Sequence, residues 1–142
     1  MILKIKKLNE NAILPSYAHP GDAGLDLYSV EEKILKKGER ALIKTGISIE
    51  LPDNTEAQVR PRSGLGLKHG IALVNSPGTI DAGYRGEIGV IVINFVDEDF
   101  KITVGMKIAQ MVIQPVLRVD VVEARELNVS QRSTGGFGST GI

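Results

Sequence analysis

IGVIVINF, from Ile88 to Phe95, is apolar at almost every position. A strand that is apolar on both faces needs cover on both of them. This run therefore predicts a β-strand in the middle of a sandwich or of an oligomer.

Segments on both sides of this run alternate with the period of two that is typical of strands. ISIELP (Ile47 to Pro52) and FKITV (Phe100 to Val104) alternate cleanly, and VDVVEA (Val119 to Ala124) places two of its valines on one face. KIAQMVIQPVL (Lys107 to Leu117) is rich in β-branched residues. Pro115 in that segment is expected at a strand end or edge, because proline cannot donate to a sheet.

Turn residues separate these segments, in HPGD, LPDN, NSPG and DAGY. The best helix candidate is GLGLKH, from Gly64 to His69, with Ser63 as its N-cap. Many short strands with frequent turns predict an all-β fold, a jelly-roll-like sandwich with one short helix. We expect a β domain over residues 1–131 and a flexible glycine-rich tail over residues 132–142.

Composition narrows the possible functions. The chain has 142 residues, which suits a single domain, and 17 basic residues balance 17 acidic ones. This balance argues against a nucleic-acid-binding surface over the whole molecule. The absence of cysteine removes disulfides and thiolate chemistry. The N-terminus, MILKIKKLNE, lacks the apolar run of a signal peptide or membrane helix, so we predict a soluble, cytoplasmic protein without a membrane partner.

PRSGLGLKHG, from Pro61 to Gly70, has the residues of an anion site. Ser63 and the glycines after it offer free backbone N–H groups at a helix start, and Arg62 and Lys68 supply positive charge. The spacing is not that of a Walker A loop. The alternative interpretation is a capped surface turn with ordinary charges.

NSPGTIDAGYRGE, from Asn75 to Glu87, contains a candidate general base, Asp81. Aspartate is a weak base, but it can orient and deprotonate water when cations have already activated a phosphate. Tyr84 is placed to pack against a sugar. The alternative is a hairpin turn with a strand-edge aromatic. A triad of Ser63, His69 and Asp81 is disfavoured, because the chain has no nucleophile elbow.

AGLDLY, from Ala23 to Tyr28, places Asp26 between two leucines. If the leucines face inward, Asp26 faces solvent or a subunit boundary. Because Mg²⁺ prefers oxygen ligands and keeps much of its water, one aspartate is able to hold it indirectly. The alternative is an ordinary surface aspartate.

TGGFGSTGI, from Thr134 to Ile142, is unusually rich in glycine and carries an isolated aromatic residue, Phe137. Its match to G-x-G-x-x-G has no helix after it, so it is not a dinucleotide fingerprint. The backbone amides, the Ser139 and Thr140 hydroxyls and the Arg132 guanidinium suit a phosphate clamp. Phe137 is suited to stacking on a flat base.

Taken in order, five segments resemble the trimeric deoxyuridine triphosphate nucleotidohydrolase (dUTPase) family. These are AGLDLY, PRSGLGLKHG, NSPGTIDAGYRGE, GMKIAQMV (Gly105 to Val112) and RSTGGFGST (Arg132 to Thr140). The resemblance implies a homotrimer whose active sites each draw on all three chains. It also implies hydrolysis of dUTP to dUMP and pyrophosphate by water attack on the α-phosphorus, which limits uracil in DNA and supplies dUMP for thymidylate synthesis.

The resemblance assigns the base and sugar contacts. It implies that Asp81 orients the attacking water and meets the 3′-hydroxyl, and that Tyr84 lies against the deoxyribose and excludes a 2′-hydroxyl. The uracil edge would be read by Asn75, Thr79, Ile80 and Gly89.

The resemblance also assigns the phosphate contacts. It implies that Asp26 meets Mg²⁺ through water, the ion being chelated by the triphosphate. The phosphates and the water would be held by Arg62, Ser63, Gly64 and Gln110, with Gln110 also catalytic. The tail would be a lid from a neighbouring chain, contributing Arg132, Phe137, Gly138 and Ser139.

Two other functions stay open at this point. A dCTP deaminase, alone or combined with dUTPase activity, shares the implied fold but needs an extra base, for which Glu87 is the candidate. A non-catalytic β-sandwich that binds a partner protein is the other. The stretches DAGYRGE and RSTGGFGST favour the hydrolase.

Overall fold

The computed structural model describes residues 1–139 and 141. In chain order its elements are β1 (Lys4–Lys7), β2 (Leu25–Tyr28), β3 (Lys33–Leu35), β4 (Arg40–Lys44), β5 (Ile47–Glu50), β6 (Thr55–Arg60), α1 (Ser63–His69), β7 (Ile71–Leu73), β8 (Gly78–Ile80), β9 (Gly89–Asn94), β10 (Phe100–Ile102) and β11 (Lys107–Pro115). The strands form two larger sheets, β2-β11-β6-β8 and β4-β9-β7, and two pairs, β1-β5 and β10-β3. The pairings between them are antiparallel.

The core lies between the two larger sheets. Leu27 of β2 and Met111 of β11 are fully buried from one side, and Ile43 of β4 and Val90 of β9 from the other, within one apolar cluster. Two sheets that share a core in this way form a β-sandwich. The predicted all-β, jelly-roll-like fold with one short helix is confirmed.

IGVIVINF forms a strand, β9, as predicted, and β9 is the middle strand of its sheet. Its inward side chains Val90 and Val92 are buried in the core. Ile91 and Ile93, on the opposite face, are only half buried, and Leu42 beside Ile91 on β4 is 58% exposed. One face of β9 is therefore covered by the chain itself, and the other keeps an apolar surface.

The short helix begins one residue earlier than predicted. Ser63 is its first residue, and the N-cap is Arg62, in extended backbone. The assignment of Ser63 as the N-cap is wrong, because the Arg62 carbonyl already accepts the first helical hydrogen bond, from Gly66 N–H at 3.1 Å. Lys68 and His69 fall in the last turn, where positive charge is favourable. No helix in residues 1–139 and 141 is long and apolar enough to cross a membrane.

The strand expected in VDVVEA is absent from the described part of the chain. Residues after Pro115 run without sheet pairing there, and Val119 and Val121 are 79% and 92% exposed. Alternating sequence alone does not make a strand, because a strand needs a neighbour for its backbone hydrogen bonds. Pro115 does end β11, as predicted.

Candidate active site

A cavity of about 450 Å³ opens where β2, β11 and the start of α1 meet. Its lining brings together five predicted site residues from three separate segments of the chain: Asp26, Arg62, Ser63, Gly64 and Gln110. The candidate phosphate-binding residues and the candidate metal contact, Asp26, therefore line one cavity.

The sheet register places Gln110 between two neighbouring strands beside this cavity. Gln110 of β11 is paired with Asp26 of β2 on one side and with Arg60 of β6 on the other. Its Nε2 donates to the Pro61 carbonyl at 3.0 Å. A Cβ added at Gly24 would lie 2.3 Å from Gln110 Oε1 and 3.1 Å from Gln110 Cβ, so a side chain at that position would displace the Gln110 amide. The amide is thus held from two sides.

Asp26 is buried, with a residue exposure of 7%. The Lys107 ammonium lies 2.6 Å from its Oδ2, and Arg62 Nε lies 3.3 Å from its Oδ1. Arg62 Nη1 also donates to the Lys107 carbonyl at 3.4 Å, so Asp26, Arg62 and Lys107 all contact one another. Asp26 does not face open solvent, because the two cations cover the carboxylate; the alternative expectation, a subunit boundary, stays a prediction. The metal contact of Asp26 also stays a prediction.

Lys107 is the residue that sequence reasoning missed. The short polar contact with Asp26, followed by the attraction between the two charges, raises the pKa of the Lys107 ammonium above its ordinary value. The ammonium also lies 5.9 Å from the centre of the Tyr28 ring. The available signal was the basic residue inside GMKIAQMV, but nothing local connects it to Asp26.

A second cavity, of about 200 Å³ and called here the β8–β9 cavity, lies beside the connection between β8 and β9, which belong to different sheets. Its lining contains Thr79, Ile80, Asp81, Tyr84 and Gly89. A smaller space of about 60 Å³ adjoins it and is lined by Asn75 together with Thr79, Ile80 and Gly89. The residues predicted to contact uracil and deoxyribose are thus neighbours.

Tyr84 is held in a defined position beside this cavity. Its hydroxyl donates to the Glu87 carbonyl at 3.0 Å, and its backbone N–H donates to the Asp81 carbonyl at 3.0 Å. A Cβ added at Gly86 would lie 2.3 Å from the Tyr84 hydroxyl oxygen. The bare backbone at Gly86 therefore allows the phenol ring to fold over it.

Glu87, the candidate base for deamination, has a structural partner. Its Oε1 accepts a hydrogen bond from Gly46 N–H at 2.9 Å, which ties the β8–β9 connection to the turn between β4 and β5. The carboxylate is half buried in this role. This geometry favours the hydrolase over a deaminase that uses Glu87.

The chain does not bring all predicted residues into one cavity. Asp81 lines the β8–β9 cavity, whereas Ser63 and His69 line the larger one. The His69 ring instead lies 5.4 Å from the Phe100 ring. The disfavoured Ser63–His69–Asp81 triad is therefore not assembled in the described chain.

The tail lies away from both cavities in the part of the chain that the structure describes. Arg132 Nε donates to the Gly135 carbonyl at 2.9 Å, Ser139 N–H donates to the Gly136 carbonyl at 2.8 Å, and the Phe137 side chain is fully exposed. Gly138 has a positive φ of 88°. Thr140 and Ile142 lie outside the described residues. The phosphate clamp stays a prediction.

Comparison with known proteins gives a consistent family. The sequence model of the dUTPase family matches residues 10–141. A protein of Clostridium acetobutylicum named deoxyuridine 5′-triphosphate nucleotidohydrolase is 68% identical over 99% of this chain and 97% of its own length. A protein of the same name from Clostridium tetani is 63% identical over 98% of this chain and 96% of its own.

Solved structures agree with these sequence relatives. The dUTPase of Staphylococcus bacteriophage 80alpha, solved with dUPNHPP, has a TM-score of 0.93 and 30% identity over 99% of both chains. A mutant dUTPase from phage phi11 of S. aureus, described as coordinating a structural Mg(II) ion, has a TM-score of 0.84 and 28% identity over 91% of this chain and all of that one. With the family model spanning nearly its whole length, this chain belongs to the dUTPase family.

Proposed function

We propose that this protein hydrolyses dUTP to dUMP and pyrophosphate, with water attacking the α-phosphorus. The observation that carries the proposal is the β8–β9 cavity, where Asp81 and Tyr84 border a space of base and sugar size. A dUTPase acts on the nucleotide pool that supplies DNA synthesis, so we place its action in the cytoplasm.

The larger cavity is proposed to hold the triphosphate. Arg62 and Lys68 supply positive charge there, and Ser63 adds a hydroxyl donor. The fixed amide of Gln110 is placed to orient a phosphate oxygen or the attacking water. Phosphoryl transfer depends mainly on such positioning and charge neutralisation, so a protein without cysteine is able to perform it.

Asp81 is proposed to accept the proton of the attacking water. Water attack forms the new oxygen–phosphorus bond, the bond to the bridging oxygen of the β-phosphate breaks, and pyrophosphate leaves with that electron pair. Asp81 lines the β8–β9 cavity and is exposed, so water reaches it. A carboxylate is sufficient as the base when the phosphorus is already activated by cations.

The residues around the β8–β9 cavity are proposed to select the base and the sugar. The small space beside Asn75, Thr79 and Gly89 suits a uracil edge and leaves little room for a 5-methyl group. Tyr84, fixed by the Glu87 carbonyl, forms the wall against which a deoxyribose packs. A 2′-hydroxyl would meet that wall.

The residues of the larger cavity fit a magnesium ion that arrives with the nucleotide. Asp26 offers a carboxylate in the lining of this cavity, and because its Oδ2 lies 2.6 Å from the Lys107 ammonium and its Oδ1 3.3 Å from Arg62 Nε, its contact with the ion would pass through water. Those residues also contain no cluster of three or more acidic or histidine side chains that would form a protein cage. Because Mg²⁺ keeps several waters and binds substrate phosphates, one carboxylate acting through water is sufficient. Such an ion would neutralise phosphate charge, and Asp26 would orient its water shell.

We propose a homotrimer with shared active sites. The support is the separation of Asp81 and Gln110 into different cavities of one chain, together with the apolar face of β9 and β4. In the trimer the tail from residue 132 onward acts as the lid of a neighbouring site. Arg132 and Ser139 bind the γ-phosphate end, the Gly138 backbone approaches the phosphates, and Phe137 caps the base.

A substrate panel tests the reaction. The protein is incubated with Mg²⁺ and dUTP, dTTP, UTP or dCTP, and pyrophosphate and ammonia are followed. We expect rapid pyrophosphate release from dUTP alone. Ammonia release from dCTP would indicate a deaminase, and a lack of pyrophosphate from dUTP would leave a binding protein.

A further inference from the structure

The turn between β4 and β5, formed by Thr45 and Gly46, holds the end of the β8–β9 connection. Glu87 Oε1 accepts the Gly46 N–H at 2.9 Å. The Ile88 carbonyl accepts the Thr45 N–H at 3.2 Å and the Thr45 hydroxyl at 2.6 Å, and the Ile88 N–H donates to the Ile47 carbonyl at 2.8 Å. Both Thr45 and Ile88 are buried. Hydrogen bonds from the turn and from the first residue of β5 therefore fix Glu87 and Ile88 in place.

The β4–β5 turn is itself anchored on its other side. The Gly46 carbonyl accepts the Leu8 N–H at 2.7 Å, just beyond the end of β1. Lys44, the last residue of β4, accepts the Val30 N–H at 3.1 Å and donates its own N–H to Glu31 Oε1 at 3.1 Å. A Cβ added at Gly46 would lie 2.8 Å from Val30 Cγ1, and the φ of 68° there favours glycine. The turn is thus a fixed support for the residues that it binds.

Tyr84 depends on the residues that this turn holds. Its hydroxyl donates to the Glu87 carbonyl at 3.0 Å, and a Cβ added at Gly86 would lie 2.5 Å from its Cζ. Tyr84 is 47% exposed, so packing covers only about half of it. The position of the ring therefore follows from where residues 86 and 87 lie, and the Glu87 carboxylate is the side-chain group that joins this stretch to Gly46.

We propose that Glu87 is a positioning residue for sugar selection. Its carboxylate, bound to the Gly46 N–H, fixes the carbonyl that accepts the Tyr84 hydroxyl, and thereby sets the distance between the Tyr84 ring and C2′ of a bound nucleotide. The inference rests on the proposed function and adds a residue that acts through Tyr84. Although Glu87 lines the β8–β9 cavity, its Oε1 is occupied by Gly46. The role therefore requires a hydrogen-bond acceptor at this position and not a negative charge.

The test compares the binding of α,β-imido-dUTP and α,β-imido-UTP, two non-hydrolysable nucleotides, by calorimetry with Mg²⁺ present. Glu87→Met keeps the length of the side chain and removes the acceptor. We expect its preference for the deoxynucleotide to fall about tenfold or more, because the wall facing the 2′-hydroxyl is released. Glu87→Gln keeps an Oε1 acceptor and should retain the preference of the unmodified protein. Glu98→Met, at an exposed glutamate that lines neither cavity, is the control and should also retain it.

A double-mutant cycle shows whether Glu87 acts through Tyr84. Tyr84→Phe removes only the hydroxyl and should lower the same preference. Adding Glu87→Met to it should lower the preference no further, since the bond between the two residues is already lost. If Glu87→Met does not fold, Thr45→Val takes its place in the cycle. That variant removes the hydroxyl donor to Ile88 and should give a smaller loss, because the Thr45 N–H still donates.

Four results would overturn the proposal. They are an unchanged preference in the Glu87→Met or replacement variant, a full loss in Glu87→Gln, losses that add in the double variant, and equal binding of the two analogues by the unmodified protein. Because turnover is not measured, selective binding without pyrophosphate release from dUTP would contradict the proposed function and not this inference.

Discussion

At the scale of single residues, the proposed role of Asp81 as the base that accepts the proton of the attacking water is testable. Asp81→Asn keeps the size of the side chain and loses the charge that polarises water. We expect turnover of dUTP to fall about 100-fold to 10,000-fold while binding of a non-hydrolysable dUTP analogue persists. Steady-state kinetics and calorimetry measure the two effects. Asp53→Asn, at another exposed aspartate, is the control and should behave as the unmodified protein; equal turnover in both variants would exclude Asp81 as the base.

Gly86 sets the position of Tyr84 through a close approach and not through direct contact with substrate. A methyl group at Gly86 would lie 2.3 Å from the Tyr84 hydroxyl oxygen and 2.5 Å from Cζ, so the ring must move. We expect Gly86→Ala to raise kcat/KM for UTP relative to dUTP by about tenfold or more, because the wall facing the 2′-hydroxyl shifts. Gly83→Ala is the matched control, since a Cβ there meets no described atom within 4 Å. An unchanged ratio for Gly86→Ala would mean that Tyr84 does not select the sugar.

The turn between β3 and β4 shows how a charge stabilises one element. Glu39 Oε2 accepts the Lys36 N–H at 3.0 Å, and its Oε1 lies 3.3 Å from Lys33 Nζ. The backbone hydrogen bond from Lys36, then the contact with Lys33, lowers the pKa of Glu39 below its ordinary value of 4.5. A lowered folded-state pKa means that the carboxylate stabilises the fold at neutral pH and that this contribution is lost as the pH falls through the folded pKa.

Glu39→Gln should therefore lower Tm slightly at pH 7, and the difference should vanish on acidification. The effect is small because the pair is exposed to solvent. Thermal unfolding followed by circular dichroism between neutral and acidic pH measures it. Glu126→Gln, at an exposed glutamate beyond β11, is the control. A Tm difference that grew as the pH fell would contradict the assigned role of Glu39.

The C-terminal tail is the second element whose role is testable. Removing residues 132–142 deletes a segment that is exposed throughout its described part, so Tm should change little. Activity should nevertheless collapse, because the tail's contacts form only around bound nucleotide.

Limited proteolysis gives a direct measurement on the intact chain. Trypsin should cut after Arg132 quickly in free protein and slowly when a non-hydrolysable dUTP analogue and Mg²⁺ are present. Cleavage after Arg118, which precedes the tail, is the internal reference. Full activity of the shortened protein, or no protection by the analogue, would show that the tail is not a lid.

At the scale of the whole molecule, the outer face of the β4-β9-β7 sheet should hold subunits together. Leu42 is exposed next to half-buried Ile91, and such a face is stabilised by cover from another copy. Light scattering should report a trimer, and Leu42→Lys should weaken it. Ile34→Lys is the control, since Ile34 of β3 is similarly exposed, at 54%, outside that sheet. A stable monomer of the unmodified protein would contradict both the trimer and the shared site.

Local sequence patterns were sufficient to predict several of the strands. Period-two segments predicted β5 and β10, because side-chain alternation follows directly from strand geometry. The β-branched residues of KIAQMVIQPVL predicted β11, and the doubly apolar run predicted the strand β9. VDVVEA shows the limit of this reasoning: its alternation is equally clear, but in the described chain it has no strand beside it.

The sequence by itself determined the all-β class and the family, since both follow from short stretches of neighbouring residues and from the order of those stretches along the chain. Only the tertiary structure decided that Asp26 is buried, that Lys107 and Arg62 cover it, and that Gly24 and Gly86 leave room for Gln110 and Tyr84. The physical reason is that the Asp26 contacts join residues distant in the chain through antiparallel register and side-chain packing. Neither the strand register nor the side-chain packing can be predicted from one segment, because the fold determines which residue lies close enough to pair with a charge.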